Sequence, residues 1–412
     1  MTLDCGKPTG RTSDQGRTMI RHHAIATLFG AAATLAATAS STVAQTPIKI
    51  GSMHSLSGPL AIAGEPAHNG FALYFAQIGN KVAGRPIVII KEDDAGSPSQ
   101  GLERVRRLVE RERVDMLVGI SSSAVAYAVR NYIDQRQVPL IIMGSSGAND
   151  LTDRQGSPYI FRSSFSNRQL GGPFGPYACN RLGYKKIAIM ASDFVTGHEQ
   201  SSAFESQFTR AGCEVVKKVM VPLGTTDFAP FLSQLASTDA DAVWAMFFGA
   251  DAIAFVKQYD ALGFKAKLPL IGPAGLNDSS VLNPMGKSGL GIASPIFYLA
   301  ALDNPENKAF VEAYRQAYGP APGSTAVSGY IAAQAIAAAL EAIKGNVENK
   351  QAFLKALKSV KLQTPMGPFE FDDKQNVVFD LYLGKVVQKG SGYDLEIADK
   401  MMRRVDQFGM SN

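Results

Sequence analysis

The stretch TPIKIGSMHSLSGPLAIAGEPAHNGFALYFAQIG, residues 46–79, decides the fold of this chain. An apolar strand pattern at Ile48–Ile50 leads into a loop rich in glycine and serine, and the loop leads into a helical pattern. Strand, loop and helix in this order are how a parallel α/β sheet begins. The stretch therefore predicts the first unit of an α/β protein.

Residues 1–44, which come before this stretch, have the pattern of a leader with a signal peptide. A basic segment, 21–23, is followed by an alanine-rich run, 24–39, and then by small residues. Thr42 and Ala44 occupy the two positions that a signal peptidase reads, so cleavage is expected after Ala44. The apolar run is too short to span a membrane. The mature chain is therefore expected to leave the cytoplasm.

The first 18 residues are polar and show no pattern, although a complete signal follows them. A signal works best when its basic region begins the chain, so Met19 is expected to be the true start. A disordered N-terminal tail is the alternative.

Composition is that of a globular exported protein. With 46% hydrophobic and 19% charged residues, the chain can bury large cores, and a mature chain of this length usually forms two domains. The net charge of +5 is partly carried by the leader and is too small to favour nucleic acid as a partner. Neither a CxxC motif nor a Cys/His cluster is present, so no metal or cofactor is expected.

Two of the three cysteines, Cys179 and Cys213, lie outside the leader. In an oxidising compartment such residues can form a disulfide bond. Two buried free thiols are the alternative, and the sequence leaves both open.

Along the mature chain, short apolar runs alternate with amphipathic segments. The apolar runs, typical of buried strands, are 48–50, 87–90, 116–118, 140–143, 187–191, 214–221, 242–248 and 270–271. The helical segments between them include 98–112, 124–136, 199–211, 228–237 and 252–262. This alternation predicts parallel sheets with helices on both faces, and small ligands bind such sheets at the carboxyl ends of the strands.

Two loops that follow predicted strands are rich in small hydroxyl residues. Gly119–Ser123 leads into a helix, and GSSGANDLT at 144–152 follows the next strand. A helix N-terminus offers free N–H groups and a partial positive charge, and serine hydroxyls beside it complete a neutral cradle for a carboxylate. The alternative for Ser123 is a helix N-cap.

The motifs of the mature chain, in their order and spacing, resemble the branched-chain amino-acid (leucine/isoleucine/valine) binding proteins that serve ABC importers. The matching segments are LSGP at 56–59, VG at 118–119, PLI at 139–141, YIFR at 159–162, DFVTG at 193–197, GPAG at 272–275 and GPFEFD at 367–372. The resemblance covers the whole mature chain.

This resemblance implies a fold of the type I periplasmic binding kind, with two doubly wound parallel-sheet lobes joined by a three-crossover hinge. The N-terminal lobe would combine 46–163 with 295–365, and the C-terminal lobe would combine 164–294 with 366–412. A last strand at 379–387 would join the second lobe. The implied location is the periplasm, the implied partners are membrane permease and ATPase subunits, and the protein is expected to be a monomer.

Family ligand contacts can be carried over residue by residue. The serine that holds the ligand carboxylate corresponds to Ser123. The second loop supplies Ser145, Ser146 and Gly147, the last at a position where the family often has threonine. The remaining contacts correspond to Ala63, Phe194, Thr196, Phe248 and Ala274. No catalytic residue is implied.

Ala274 is the main departure from the family pattern. Leucine-binding members have a glutamate at this position, which pairs with the ligand ammonium, and a buried ammonium without a partner costs several kcal/mol. Asp193, Asp251 and Asp278 are alternative counter-ions. A small carboxylate, either an aromatic or a keto acid, is therefore expected in preference to a branched-chain amino acid, with two phenylalanines against its apolar part.

Catalysis is the rival class of function. Gly119–Ser123 lacks the glycine that a G-x-S-x-G nucleophile elbow requires, and no histidine has a recognisable triad position. Binding without catalysis is therefore expected. A ligand sensor of the same fold, signalling to a membrane receptor, is the alternative to import.

Overall fold

The computed structural model describes residues 46–58, 60–153 and 156–405. The predicted leader, its cleavage site and the predicted start at Met19 lie outside these residues. Among the residues that are described, no helix combines the length and the apolarity that crossing a membrane requires.

The strands and helices alternate as the apolar runs predict. The strands are β1 (Ile48–His54), β2 (Lys81–Val82), β3 (Arg85–Asp93), β4 (Met116–Gly119), β5 (Leu140–Ile142), β6 (Ile160–Arg162), β7 (Lys186–Ser192), β8 (Glu214–Val221), β9 (Ala242–Met246), β10 (Leu270–Ile271), β11 (Ala293–Ile296), β12 (Lys361–Thr364), β13 (Gly367–Glu370), β14 (Phe379–Lys389) and β15 (Gly392–Val405). The helices are α1 (Ala61–Gln77), α2 (Pro98–Arg106), α3 (Ser123–Arg136), α4 (Asn167–Gly171), α5 (Phe174–Asn180), α6 (Val195–Arg210), α7 (Ala229–Leu232), α8 (Gly249–Ala261), α9 (Ser279–Met285), α10 (Pro305–Tyr318), α11 (Ser324–Ala342) and α12 (Lys350–Lys358).

Two large sheets organise the described chain, and each defines one lobe. The first has the strand order β2-β3-β1-β4-β5-β6, and its strands from β3 to β6 run parallel. The second has the order β15-β14-β11-β10-β9-β7-β8, parallel from β11 to β8. The predicted class, two doubly wound parallel-sheet lobes, is confirmed, with antiparallel strands added at one edge of each sheet.

The strand predicted at 379–387 lies in the second sheet as β14, where it pairs with β11 and β15. The predicted boundary at 365–366 also assigns 367–377 to the second lobe, whereas the end of that segment bonds to the first sheet. The Val377 N–H donates to the Arg162 carbonyl, and the Arg162 N–H donates to the Gln375 carbonyl. These bonds tie residues 375–377 to β6, and the predicted lobe boundaries remain predictions.

Helices α1 and α11 cover one face of the first sheet and approach closely at two glycines. A Cβ atom on Gly70 would lie 1.9 Å from the Ala326 carbonyl oxygen, and one on Gly329 would lie 2.0 Å from that of Ala67. Only glycine fits this crossing. The close packing fixes the first turns of α11 beside the middle of α1.

Cys179 at the end of α5 and Cys213 before β8 form a disulfide bond. Of the two alternatives that the sequence left open, the disulfide bond is therefore the one found. The bond lies against Phe174 and Phe208 in the buried core of the second lobe.

The double variant Cys179→Ala/Cys213→Ala is expected to lose about 4 kcal/mol of unfolding free energy, because the bond closes a loop of 34 residues in the unfolded chain. Urea denaturation of the variant checks this, and reduced wild type serves as the matched control. A loss below about 1 kcal/mol would contradict the expectation.

Candidate functional site

The serine-rich loops that follow β4 and β5 lie side by side at the carboxyl edge of the first sheet. Gly119 is in register with Ile142 on the neighbouring strand, so both loops begin at the same level. The Ser145 hydroxyl donates to the Ser121 carbonyl at 2.9 Å and ties the two loops together. These loops form the wall that the sequence assigns to the ligand carboxylate.

Helix α3 begins one residue earlier than its sequence pattern predicts. Ser122 has extended backbone angles and its hydroxyl accepts from the Val125 N–H, so Ser122 is the N-cap and Ser123 is the first helical residue. The N-cap alternative for Ser123 is therefore wrong. Its hydroxyl is left for another partner.

That partner is Thr196, the residue assigned to the opposite wall. The two hydroxyl oxygens lie 3.2 Å apart, with α3 in the first lobe and α6 in the second. Ser123 is 1% and Thr196 3% exposed. Two residues selected separately from the sequence thus meet across the cleft, in the closed arrangement of the lobes.

Three further serine hydroxyls at strand ends are buried without a hydrogen-bond partner among the described residues. They belong to Ser121, Ser146 and Ser192, which follow β4, follow β5 and end β7. A buried hydroxyl that lacks a partner costs about 1–3 kcal/mol, so such atoms indicate a partner that is not part of the chain. Ser146 was selected from the sequence. Ser121 and Ser192 were missed, although both stand at the carboxyl ends of parallel strands.

Gly147 lies against the backbone and side chain of Asn167. A Cβ atom on Gly147 would stand 2.2 Å from the Asn167 Oδ1, and the Asn167 N–H donates to the Gly147 carbonyl. The threonine common in the family does not fit here unless Asn167 moves. Gly147 can therefore serve a ligand only through its backbone.

Arg162, at the end of β6, holds the second serine loop in place. Its guanidinium donates to the Ser146 carbonyl at 2.5 Å, the Ala148 carbonyl at 2.7 Å and the Asn376 Oδ1 at 3.1 Å. The side chain is fully buried, and burial lowers its pKa to about 10, so it stays charged at neutral pH. Sequence reasoning identified no role for it at the site.

The second-lobe wall is aromatic. Phe194 and Phe248 precede α6 and α8, and both are half-buried. Their ring centroids are 5.9 Å apart and the rings are nearly perpendicular, an edge-to-face arrangement. A Cβ atom on Gly275 would stand 2.5 Å from Phe248 Cδ1, so this ring covers the turn that begins at Ala274. The structure thus brings these three predicted positions together.

Ala63 lies in the first turn of α1 and is half-buried. Its neighbour Gly64 packs against the loop that follows β1, since a Cβ atom there would stand 2.1 Å from the Ser55 carbonyl oxygen. This predicted position therefore borders the same edge of the first sheet as the serine loops.

The three aspartates that could replace the missing glutamate have local partners. Asp193 lies 2.7 Å from His198, Asp251 accepts from the Gly224 N–H, and Asp278 caps α9 by accepting from the Ser280 N–H. None of the described contacts brings them to the serine loops. In the described part of the chain, no group of three His, Cys, Asp or Glu residues is arranged to hold a metal ion.

Glu199 links the lobes beside the site. Its carboxylate accepts from the Tyr127 hydroxyl of α3, from the Asn149 N–H at 3.0 Å and from the Asn167 side chain at 2.7 Å. Burial and this carboxylate raise the pKa of Tyr127, which keeps its proton. Sequence reasoning missed this link because its members are far apart in the chain.

Comparison with known proteins agrees with this geometry. A family model described as periplasmic binding protein matches residues 47–391. The chain belongs to that family.

Relatives of this periplasmic binding protein are solute-binding proteins. The Leu/Ile/Val-binding protein homolog 6 of Brucella melitensis is 31% identical over 358 residues, which cover 85% of this chain and 90% of the relative. An ABC transporter substrate-binding protein from Sphaerobacter thermophilus is 40% identical, with a TM-score of 0.83 over 88% of this chain and 99% of that one. The resemblance stated from the sequence is therefore confirmed.

A third similar structure is a solute-binding protein of an ABC transporter from R. palustris in complex with benzoate. It is 32% identical, with a TM-score of 0.81 over 87% of this chain and 98% of that chain. This periplasmic binding protein thus shares its fold and much of its length with binders of small solutes.

Proposed function

We propose that this periplasmic binding protein captures a small aromatic carboxylate in the cleft between its lobes and delivers it to an ABC importer. The observation that carries the proposal is the hydroxyl pair of Ser123 and Thr196, which spans the cleft with an aromatic pair on one wall. Hydroxyls bind a carboxylate without adding charge, and aromatic edges and faces pack on a ring.

In this proposal the carboxylate replaces the bond between Ser123 and Thr196 and accepts from both hydroxyls. Ser121, Ser145 and Ser146 complete the first-lobe wall, with backbone groups at Gly147. The unpartnered hydroxyls of Ser121 and Ser146 support this role, because a bound carboxylate would supply their missing partner.

The opposite end of the ligand would be a ring. Phe194 and Phe248 pack on it, and the sequence has the small residue alanine at positions 63 and 274. Ala274 brings no carboxylate, and the local partners of the three aspartates leave an α-amino group without a counter-ion in this cleft. The benzoate complex of the R. palustris relative supports the same class of cargo.

Import also requires that the protein reach the periplasm and contact the membrane subunits of a transporter. We propose that the leader directs the chain to the periplasm, with cleavage after Ala44, and that the closed lobes present their surfaces to a permease and its ATPases. The relatives are named as parts of ABC transporters, which favours import over the sensor alternative.

The test is a calorimetric titration with benzoate, with L-leucine as the competitor. Benzoate is expected to bind, and leucine to displace it about 100-fold more weakly, since the cleft lacks a partner for the ammonium. Ser123→Ala should weaken benzoate binding by about tenfold or more, the effect of losing one hydrogen bond to a charged group.

The matched control is Ser202→Ala, an exposed serine on the same helix as Thr196, which should leave the affinity for benzoate unchanged. Ala274→Glu adds the family carboxylate and should weaken benzoate while strengthening leucine. Displacement of benzoate by leucine at equal concentration in the wild type would contradict the proposed cargo.

A further inference from the structure

Apart from the cleft at the serine loops, a cavity of 260 Å³ lies between the lobes. We call it the hinge-side cavity. The first lobe contributes α10 and the start of α11, the second lobe contributes the loop after β10 and the β14–β15 turn, and the segment 296–301 lies between them. Of the nine ligand residues predicted from the sequence, the eight whose side chains the structure describes do not line it.

Asn277, in the wall of the hinge-side cavity, is a buried amide. It is 0% exposed, and within the described part of the chain neither its Nδ2 nor its Oδ1 makes a hydrogen bond. Each buried polar atom without a partner costs about 1–3 kcal/mol. The cavity therefore borders one unused donor and one unused acceptor on the same side chain.

The N-terminus of α11 meets the cavity at Gly323 and Ser324. This helix has 19 residues, its N-cap is Gly323, and no side chain caps it. Its first N–H groups and its dipole therefore present partial positive charge to the cavity, a favourable place for a carboxylate.

A carboxylate of the second lobe faces the same helix end. A Cβ atom on Gly323 would stand 3.2 Å from the Ser279 Oγ and 3.7 Å from the Asp278 Oδ2. Asp278 uses its other oxygen, Oδ1, to cap α9. Partial positive and full negative charge thus lie side by side, so a simple anion and a simple cation would each meet one unfavourable neighbour.

The remaining charged groups of the cavity are one ion pair and one arginine at its rim. Lys389 and Asp394 pair with each other at 3.2 Å, and Arg315 is exposed at the rim. The rest of the lining is largely apolar and includes Leu299 and Val311, both 9% exposed or less. A cavity of about 150 Å³ is enough for a benzene ring, so this one can hold a branched aliphatic side chain.

We propose that the hinge-side cavity is a second binding site and that it takes an α-amino acid with an apolar side chain. The carboxylate accepts from the N–H groups at the start of α11 and from Asn277 Nδ2. The ammonium donates to Asp278 and Asn277 Oδ1, and the side chain packs on Leu299 and Val311. A zwitterion is the ligand class that uses both charges of the site.

Such a ligand would contact both lobes. Its binding would therefore be coupled to the binding of the aromatic acid in the main cleft. Its contacts with α11 and with Asp278 exist together only when the lobes are closed. A ligand that binds the closed state better shifts the population toward that state. Amino acid and aromatic acid would then strengthen each other's binding, in equal measure by linkage.

The test uses L-leucine as the probe and calorimetry on the mature chain in the presence of saturating benzoate. Leucine is expected to bind the hinge-side cavity at concentrations too low to compete for the main cleft, and therefore without displacing benzoate. Asn277→Leu, which keeps the side-chain size, should weaken leucine by about tenfold or more. Asp278→Asn should do the same, and because asparagine is also a good N-cap, α9 keeps its start.

The variant Ser123→Ala separates the two sites. It should weaken benzoate and leave leucine bound, while Asn277→Leu should leave benzoate affinity, measured without leucine, unchanged. The absence of leucine binding up to about 10 mM would overturn the second site and leave the proposed cargo intact. Leucine binding that is lost in Ser123→Ala but kept in Asn277→Leu would place leucine in the main cleft and overturn both proposals.

Discussion

Replacing Arg162 with methionine is expected to lower the free energy of unfolding by about 4 kcal/mol, the range seen when one partner of a buried charged network is removed. The guanidinium is fully buried and donates to two loop carbonyls and to Asn376. Methionine fills a similar volume, so the loss reports the missing hydrogen bonds more than a cavity. Urea denaturation measures it.

The same variant should also weaken benzoate binding by about tenfold, because Arg162 fixes the carbonyls on either side of Gly147 and thereby the position of Ser146. Arg162 acts as a positioning residue and does not touch the proposed ligand. Arg162→Lys retains the charge but cannot reach three acceptors, so it should recover part of the stability and little of the affinity.

Arg181→Met is the matched control, since Arg181 is 70% exposed and pairs with Asp399 at 3.5 Å. Exposed pairs contribute about 0–1 kcal/mol, so this variant should unfold like the wild type. A loss below about 1 kcal/mol for Arg162→Met would show that the loop does not depend on the guanidinium.

Acid is expected to destabilise the protein through His54 and His68, by about 4 kcal/mol between pH 7 and pH 5. His54 is fully buried with both ring nitrogens unpartnered, and burial, followed by His68 and Lys91, lowers its pKa from 6.5 to about 3. Burial and Lys91 lower the pKa of His68 to about 4, while Glu65 acts weakly in the opposite direction.

Because folding lowers the pKa of both His54 and His68, acid destabilises the folded state. Both pKa values are lower in the folded state than in the unfolded state, so below pH 6.5 the unfolded chain binds more protons. The stability is complete above pH 6.5 and falls as the pH falls toward 4 and 3. Each histidine accounts for about 2 kcal/mol of the change between pH 7 and pH 5.

Urea denaturation at a series of pH values checks this expectation. His54→Met should reduce the loss between pH 7 and pH 5 by about half, since an apolar side chain suits a site without hydrogen-bond partners. His198→Gln is the control on an exposed histidine. An unchanged pH dependence in His54→Met would show that the buried ring is not its source.

The fold could be predicted from the sequence because its strands are buried on both faces. Runs such as Met116–Val118 and Ala242–Met246 are apolar throughout, which only a sheet covered by helices explains. The hydrogen bonds that join Arg162 to residues more than 200 positions away could not be predicted, because nothing in the local sequence marks such a contact.

The candidate site, like the fold, could be predicted from the sequence only in part. Residues that face the cleft from strand ends, such as Ser123 and Phe248, follow from the loop pattern and the family resemblance. The residues that hold them do not. Arg162 and Glu199 act through contacts between distant segments, and Asn277 is notable only because the folded chain leaves its amide without partners.

The bond between Ser123 and Thr196 has a consequence for loading. Under the proposed function, a carboxylate that accepts from both hydroxyls replaces this bond, so the ligand gains two donors while the chain gives up the contact between Ser123 and Thr196. The free energy of that contact is subtracted from every ligand alike. A ligand with only one acceptor atom would gain little from this replacement, whereas a carboxylate offers one oxygen to each hydroxyl.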